Sequence, residues 1–294
     1  MDMCKNKIKG ALYGAAIGDA MGATTEFMSK EQIKAQWPDG LREIVGGGAF
    51  RWRPGEVTDD TQMAMCVMDA LMASYDKRHT RICQKQFRSE LRYNFCHWLD
   101  TKPKDIGNTC WVELTWLRTD QNHQPRKISA EQQGNGGLMR TLPTALLEAP
   151  YYENHLGRIQ NNFTHWNTTC MDAIRLYTDN VRGYLQYGIC KCSVATSAEL
   201  MEPTGCVINT LNNALYYAWH CSDFESGIIG PVNDGGDADT IACVTGGLVG
   251  AKFGYDAIPM RWVGMLDKQI KNKLDKFADW VCVYHKQRGL KFPF

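Results

Sequence analysis

GALYGAAIGDAMGATTEF, residues 10–27, carries glycine at positions 10, 14, 18 and 22, each four residues from the next. In an α-helix that spacing stacks the four on one side and leaves a smooth strip without side chains. Each glycine costs a helix about 0.8 to 1 kcal/mol relative to alanine, so something must approach that face closely. Gly246, Gly247, Gly250 and Gly254, in GGLVGAKFG near the other end of the chain, suggest a similar surface. We expect these two helices to lie centrally and to pack tightly against one another.

Working outward, apolar residues recur mostly at helical spacing, and no convincing series of alternating strands is present. The fold is therefore read as all-α. The spacing predicts helices over Lys5 to Glu26, Lys30 to Gln36, Asp59 to Ser74, Arg81 to Leu99, Asn108 to Leu117 and Leu138 to Ala149. It predicts further helices over Thr168 to Tyr187, Thr204 to His220, Thr240 to Phe253 and Arg261 to Tyr284, the last broken into two pieces. Asp120 to Gly137 and Ser222 to Gly236 are polar and lack periodicity, as expected of functional loops on a helical scaffold. No stretch reads as a linker, so residues 1–294 are expected to form a single domain.

The chain is 44% hydrophobic and 22% charged, an ordinary globular composition that excludes general disorder. With 33 basic against 32 acidic residues the net charge is +1, and no global field draws the protein to nucleic acid or to an anionic membrane. The 12 cysteines form no C-x-x-C pair and read as free thiols of a reducing compartment. Lys5, Lys7 and Lys9 before GALYGAAIG imitate the start of a signal peptide, but Asp19 interrupts the apolar run. The longest uncharged segment, Pro203 to Ser222, holds three asparagines and a histidine and makes a poor membrane span. The expectation is a soluble, cytoplasmic protein with no nucleic-acid or membrane partner.

Two acidic motifs carry the chemistry. In PGEVTDDTQM, residues 54–63, Thr58 is placed as a helix N-cap with Asp59 and Asp60 in the first turn, where carboxylates favour the positive end of the helix dipole. A capped acidic helix start is common, and alone it decides nothing. NDGGDADTIACVTGGL, residues 233–248, places carboxylates and a threonine ahead of a second glycine-containing helix. Oxygen-only donors of this kind suit hard cations such as Mg²⁺ or Mn²⁺, and Asp59, Asp60, Asp237 and Asp239 can balance two of them. An EF-hand starting at Asp234 fails, because its third, fifth and twelfth positions are Gly236, Ala238 and Thr245.

Three further segments can converge on these motifs. Glu26 ends the glycine-striped helix and reads either as a ligand or acid/base group or as a solvated helix end. Asp105 to Asn108, DIGN, is either an N-cap turn or part of a site. GNGGLMR, residues 134–140, exposes backbone N–H groups before a helix, a geometry suited to a diphosphate.

With these pieces in order, the chain resembles the ADP-ribosylglycohydrolase family, in particular its bacterial branch that includes the dinitrogenase reductase-activating glycohydrolases. The resemblance rests on GALYGAAIGDAMGATTEF, PGEVTDDTQM, KDIGNT, GNGGLMRTLP, the Thr164–His165 pair and GGDADTIACVTGGLVGAKFG. It implies a compact, orthogonal multi-helix fold around a central two-metal site, and hydrolysis of the bond between ADP-ribose and a protein side chain. It implies Thr58, Asp59, Asp60, Asp237, Asp239 and Thr240 as ligands of two divalent cations, Mg²⁺ or Mn²⁺. Glu26 and Asp105 are implied as catalytic groups, and Asn108, Asn135, Gly136, Gly137, Met139 and His165 as residues that hold the substrate. The implied substrate is a mono-ADP-ribosylated protein, modified on arginine, and the product is ADP-ribose. An enzyme for O-linked ADP-ribose, a non-catalytic ADP-ribose binder and a helical protein whose acidic caps are only caps are the competing readings.

Overall fold

The computed structural model describes residues 3–120, 133–147, 155–189 and 198–289. Its helices are α1 (Met3–Gly22), α2 (Lys30–Gln36), α3 (Asp59–Ala73), α4 (Gln84–Asp100), α5 (Asn108–Thr119), α6 (Leu142–Ala145) and α7 (His155–Asn161). They continue as α8 (Thr168–Tyr187), α9 (Val207–His220), α10 (Phe224–Asp234), α11 (Ala238–Phe253), α12 (Met260–Met265) and α13 (Lys268–Gln287). Among the described residues the sheet content is one short antiparallel pair, Tyr75–Asp76 with Arg81–Ile82, in which Tyr75 faces Ile82. The protein is all-α, as the periodicity requires.

The glycine strip finds its partner. A Cβ added to Gly10, Gly14, Gly18 or Gly22 would lie 2.5, 2.2, 2.0 or 2.4 Å from the carbonyl oxygens of Gly250, Gly246, Ala242 and Ala238 respectively. The contact is reciprocal, since a Cβ on Gly246 or Gly250 would meet the carbonyl oxygens of Gly14 and Gly10 at 2.0 and 2.1 Å. Helices α1 and α11 therefore touch backbone to backbone along four turns. Gly247 belongs to another contact, and its missing side chain makes room for the Tyr177 hydroxyl of α8. Such proximity leaves α11 no solvent face, and every residue from Ala238 to Ala251 is buried.

The surrounding helices are amphipathic and shield this pair. In α13, Leu274, Phe277, Ala278, Val281 and Tyr284 bury one stripe, each large side chain contributing about 1.5 to 3 kcal/mol of transfer free energy. Helix α8 starts at the Asn167 cap, whose side chain accepts from the Thr169 N–H, and stops at Gly188, which takes the left-handed conformation that glycine adopts without strain. Helix α2 is closed by a reciprocal capping box between Ser29 and Gln32.

Three expectations need correction. Ser222 to Gly236 is not a loop, because Phe224–Asp234 is helical behind a capping box between Asp223 and Ser226. Gly227, Gly230 and Pro231 hide the periodicity, yet the glycines serve packing: a Cβ on Gly230 would be 2.2 Å from the Tyr217 ring. Arg81 to Leu99 is not one helix, since Arg81–Ile82 pairs as a strand and the helix starts at Gln84. Leu138 to Ala149 is helical only at Leu142–Ala145, after turns at Leu138 to Arg140, and Glu148 and Ala149 lie outside the described residues. Most of the Asp120 to Gly137 segment also lies outside them. Arg261 to Tyr284 does break into two, at α12 and α13.

Candidate functional site

The floor of the site begins with α3. Thr58 caps it, its hydroxyl accepting from the Asp60 N–H at 3.3 Å, and this places Asp59 and Asp60 in the first turn. The same turn is gripped from α1. Buried Asp19 accepts from the Thr58 N–H at 3.0 Å and from the Thr61 N–H at 3.1 Å, supplying the charge that a helix N-terminus favours. The sequence reading saw Asp19 only as an interruption of an apolar run. A lone carboxylate inside a glycine-striped helix was the available signal.

The second acidic motif reaches the same point because of the glycine seam. Gly22 meets Ala238 and the Cα of Asp239 at the last turn of contact, so the end of α1 and the start of α11 are one locality. Glu26, four residues on, thereby stands beside Asp239. Gly235 and Gly236 take positive φ values of 74° and 62° to bring the chain into α11, and the Asp237 N–H is held by the Pro203 carbonyl at 2.9 Å. Thr240 joins the two motifs directly, its hydroxyl donating to Asp60 Oδ2 at 3.2 Å. Asp105, on the loop before α5, closes the ring. One oxygen each from Glu26, Asp105 and Asp239 lie within 4.8 Å of one another, a group that can hold a metal ion.

This acidic cluster is poorly satisfied by the protein itself. Glu26 Oε2, Asp60 Oδ1 and Asp239 Oδ1 are buried without a hydrogen-bond partner. Burial, and then their mutual repulsion, push Asp59, Asp60 and Asp239 well above the usual carboxylate range. Glu26 is pushed up to about 9, by burial first and then by Asp105. Asp237 and Asp19 rise to about 6, burial being offset in part by their hydrogen bonds. Unpaired buried carboxylate oxygens are costly, whereas a hard divalent cation uses such oxygens as ligands. The donor set fits that kind of ion.

Beside the cluster opens a cleft of about 440 Å³. Glu26, Asp59, Asp105, Asp237, Asp239 and Thr240 line its acidic part, and Asn108, Asn135, Gly136, Met139 and His165 line the remainder. Thr58 and Asp60 lie buried beneath this surface. Gly137 sits behind it, where a Cβ would meet Asn161 Oδ1 at 1.9 Å. Asn108 is the first residue of α5, but Gly107 is its cap, and no side chain caps this helix. The glycine loop also differs from expectation. Gly136 is small because the His165 ring lies 2.8 Å from where its Cβ would be, and the loop leads into turns rather than a long helix.

His165 is held from its neighbour. Arg140 donates to the Thr164 hydroxyl at 2.7 Å, and that hydroxyl lies 2.7 Å from His165 Nδ1. Burial and the nearby Arg140 lower the His165 pKa to about 3, so the ring is neutral. Arg140, which the sequence reading quoted but gave no role, is fully buried. It is held by the Gln160 side chain at 2.7 Å and backbone at 2.9 Å, with its guanidinium 4.7 Å from the Phe95 ring centroid. Asn135 is fixed as well, donating to Thr210 Oγ1 at 2.9 Å and to the Asp237 carboxylate.

Two aromatic residues of the cleft were given no role by the sequence. Phe27 and Phe50 pack edge to face at 6.2 Å, and both line the cleft. Phe27 is 66% exposed and has a φ of 62°, which is rare for a bulky residue. The sequence places the helix end at Glu26, but α1 stops at Gly22 and Phe27 follows it in a turn.

An all-helical scaffold that gathers carboxylates at the side of a polar cleft is one that known proteins share. The chain belongs to the ADP-ribosylglycohydrolase family, whose model matches residues 2–200 and 187–290. The ADP-ribosyl-[dinitrogen reductase] glycohydrolase of Rhodospirillum rubrum is 31% identical over 290 residues, covering 92% of this chain and 93% of that protein. The ADP-ribosylarginine hydrolase Tri1 of Serratia proteamaculans (strain 568) is 29% identical over 291 residues, covering 90% of this chain and 76% of its own. A solved structure titled "ADP-ribosylglycohydrolase-related protein complex" superposes with a TM-score of 0.76 at 26% identity, covering 98% of this chain and all of that one.

The ten cysteines among the described residues are free thiols. No described helix is long and apolar enough to cross a membrane.

Proposed function

We propose that this protein removes mono-ADP-ribose from modified arginine side chains of proteins, cleaving the N-glycosidic bond with two divalent cations, Mg²⁺ or Mn²⁺. The observation that carries the reading is the convergence of Glu26, Asp60 and Asp239, each with a buried carboxylate oxygen that no protein group satisfies, beside a cleft of neutral polar residues. The relatives named for arginine-linked and dinitrogen reductase-linked ADP-ribose support the choice of acceptor.

Thr58, Asp59, Asp60, Asp237, Asp239 and Thr240, with Glu26 at their edge, would hold the cations. When bound, such ions polarise substrate oxygens and lower the pKa of a coordinated water. The remaining work falls to the chain. The carboxylates stabilise the positive charge that develops on the ribose as the bond to nitrogen lengthens. Asp105, half-buried on the cleft wall, is placed to pass a proton to the departing guanidine, and Glu26 is the alternative donor. Neutral His165 lines the cleft without placing a second positive charge near the reacting sugar. Asn135, tethered to Thr210 and Asp237, offers a fixed amide beside the glycine turn.

The experiment is chromatographic detection of free ADP-ribose released from an arginine-ADP-ribosylated protein, with Mg²⁺, with Mn²⁺ and with a chelator. Release that needs the metal supports the proposal. Release only from serine-linked substrate moves the acceptor to the O-linked class. Tight ADP-ribose binding without release would leave a binding module.

A further inference from the structure

Phe27 has cleft on one side and a second groove on the other. That groove, about 660 Å³, runs between the Phe27–Ser29 connection with the first turn of α2 and the non-helical stretch Leu200–Thr204. Both walls are pinned to the glycine turn that delivers Asp237. The Phe27 N–H bonds the Gly236 carbonyl at 2.7 Å, the Gly236 N–H bonds the Met28 carbonyl at 2.9 Å, and the Asp237 N–H bonds the Pro203 carbonyl at 2.9 Å. The outer wall is also rigid. Asn213 accepts from the Met201 N–H at 2.7 Å and donates to the Met201 carbonyl at 3.0 Å, fixing the backbone while the side chains of Leu200 and Met201 stay 43% and 41% exposed.

We propose that this groove is the docking site for the polypeptide that flanks the modified arginine, with the ADP-ribosylated side chain passing over Phe27 into the acidic cleft. The inference rests on the protein-hydrolase reading given above. Two observations select this occupant. The groove adjoins the cleft at Phe27, which lines both, and Gly236 on its floor is followed directly by Asp237 of the cleft, the arrangement required if one side chain enters the site while its backbone stays outside. Its charge is complementary to a basic neighbourhood: Lys30 is neutralised by Asp234 at 2.8 Å, and the carboxylates of Glu31 and Glu202 remain at the rim. Phe27, whose exposed side chain lines both spaces, has a positive φ, a strained conformation of the kind that persists at binding sites.

The test compares two substrates: an arginine-ADP-ribosylated protein, and ADP-ribosylated agmatine, a small guanidine with no flanking polypeptide. Met201→Glu alters the wall and Glu202→Lys the rim, and neither residue belongs to the catalytic cluster. Each variant should lower kcat/KM for the protein substrate about tenfold, the loss typical of one important interface side chain, through a raised KM. The agmatine substrate should be cleaved within about twofold of the unaltered enzyme, which also reports that the variants are folded. Equal losses on both substrates would overturn the proposal, because the groove would then serve ADP-ribose itself. Unchanged cleavage of the protein by both variants would overturn it too. If the unaltered enzyme cleaves neither substrate, the arginine-hydrolase reading falls and the groove falls with it.

Discussion

Gly18→Ala adds one methyl group where the carbonyl oxygen of Ala242 would be 2.0 Å away, with the Ala242 carbon at 2.4 Å and the Cys243 nitrogen at 3.0 Å. Ordinary contact begins near 3.4 Å, so the helices must part by more than 1 Å or the oxygen must leave its own helical hydrogen bond. Neither neighbour is a flexible side chain. Overpacking of a tight interior costs about 1 to 3 kcal/mol and occasionally more, and the backbone nature of this clash places it at the upper end. Alanine returns about 1 kcal/mol of helix propensity, leaving a net loss of about 2 kcal/mol or more. For a chain of this size that corresponds to roughly 3 °C or more in Tm. The control is Gly264→Ala in α12, where nothing lies within 4 Å of the added carbon. Propensity alone acts there, and the variant should be unchanged or up to about 1 kcal/mol more stable. The assay is thermal unfolding followed by circular dichroism in metal-free buffer. Gly18→Ala as stable as the parent would refute the close-contact account of the seam.

Three more outcomes are expected. Asp239→Asn should lower turnover by about a hundredfold or more and abolish the rise in Tm on adding Mg²⁺ or Mn²⁺. In metal-free buffer it should melt at or above the parent temperature, because one of several repelling buried carboxylates is gone; a lower metal-free Tm would contradict the repulsion. His285 is buried at the Leu146 carbonyl, and burial depresses its pKa to about 4 against 6.5 when unfolded. Its contribution is present above pH 6.5 and is lost as pH falls through 4, at most about 3 kcal/mol, so His285→Gln should flatten the fall of urea stability between pH 7 and 4. Arg140→Met removes the donor to Gln160 and Thr164, leaving three buried acceptor atoms without it, and should cost about 3 kcal/mol. Equilibrium urea unfolding reads that loss, and a cost below about 1 kcal/mol would show that Arg140 is not the hub described.

How far the sequence could be read depended on whether a signal was local or distributed. The seam was legible because glycine at a spacing of four has an energetic cost that only close packing explains, and α1 and α11 meet where that logic puts them. The two acidic helix starts were legible because capping chemistry is local: Thr58, Asp59 and Asp60 need no partner to be recognised. Helix α10 was hidden because Gly227, Gly230 and Pro231 look like loop punctuation, while their purpose, contact with Tyr217 and Val249, lies in other helices. Asp19, Arg140 and Phe27 escaped for the same reason. Asp19 acts on the first turn of α3, Arg140 on Thr164, and the Phe27 backbone on Gly236, and none of those pairings leaves a pattern in the neighbouring residues.

The seam also sets a timetable. Helix α1 leaves a ribosome well before α11, so the surface that Gly10, Gly14, Gly18 and Gly22 present must wait for its partner while more than two hundred residues are made. During that wait Asp19 and Glu26 have no Asp239 to face, and the carboxylate cluster does not exist. Contacts this distant in sequence are the slow ones to form. A nascent chain halted before Ala238 would carry the TDDT motif and the glycine turn and still lack the Asp239 that completes the cluster, so the two acidic motifs become one locality only after α11 has been made.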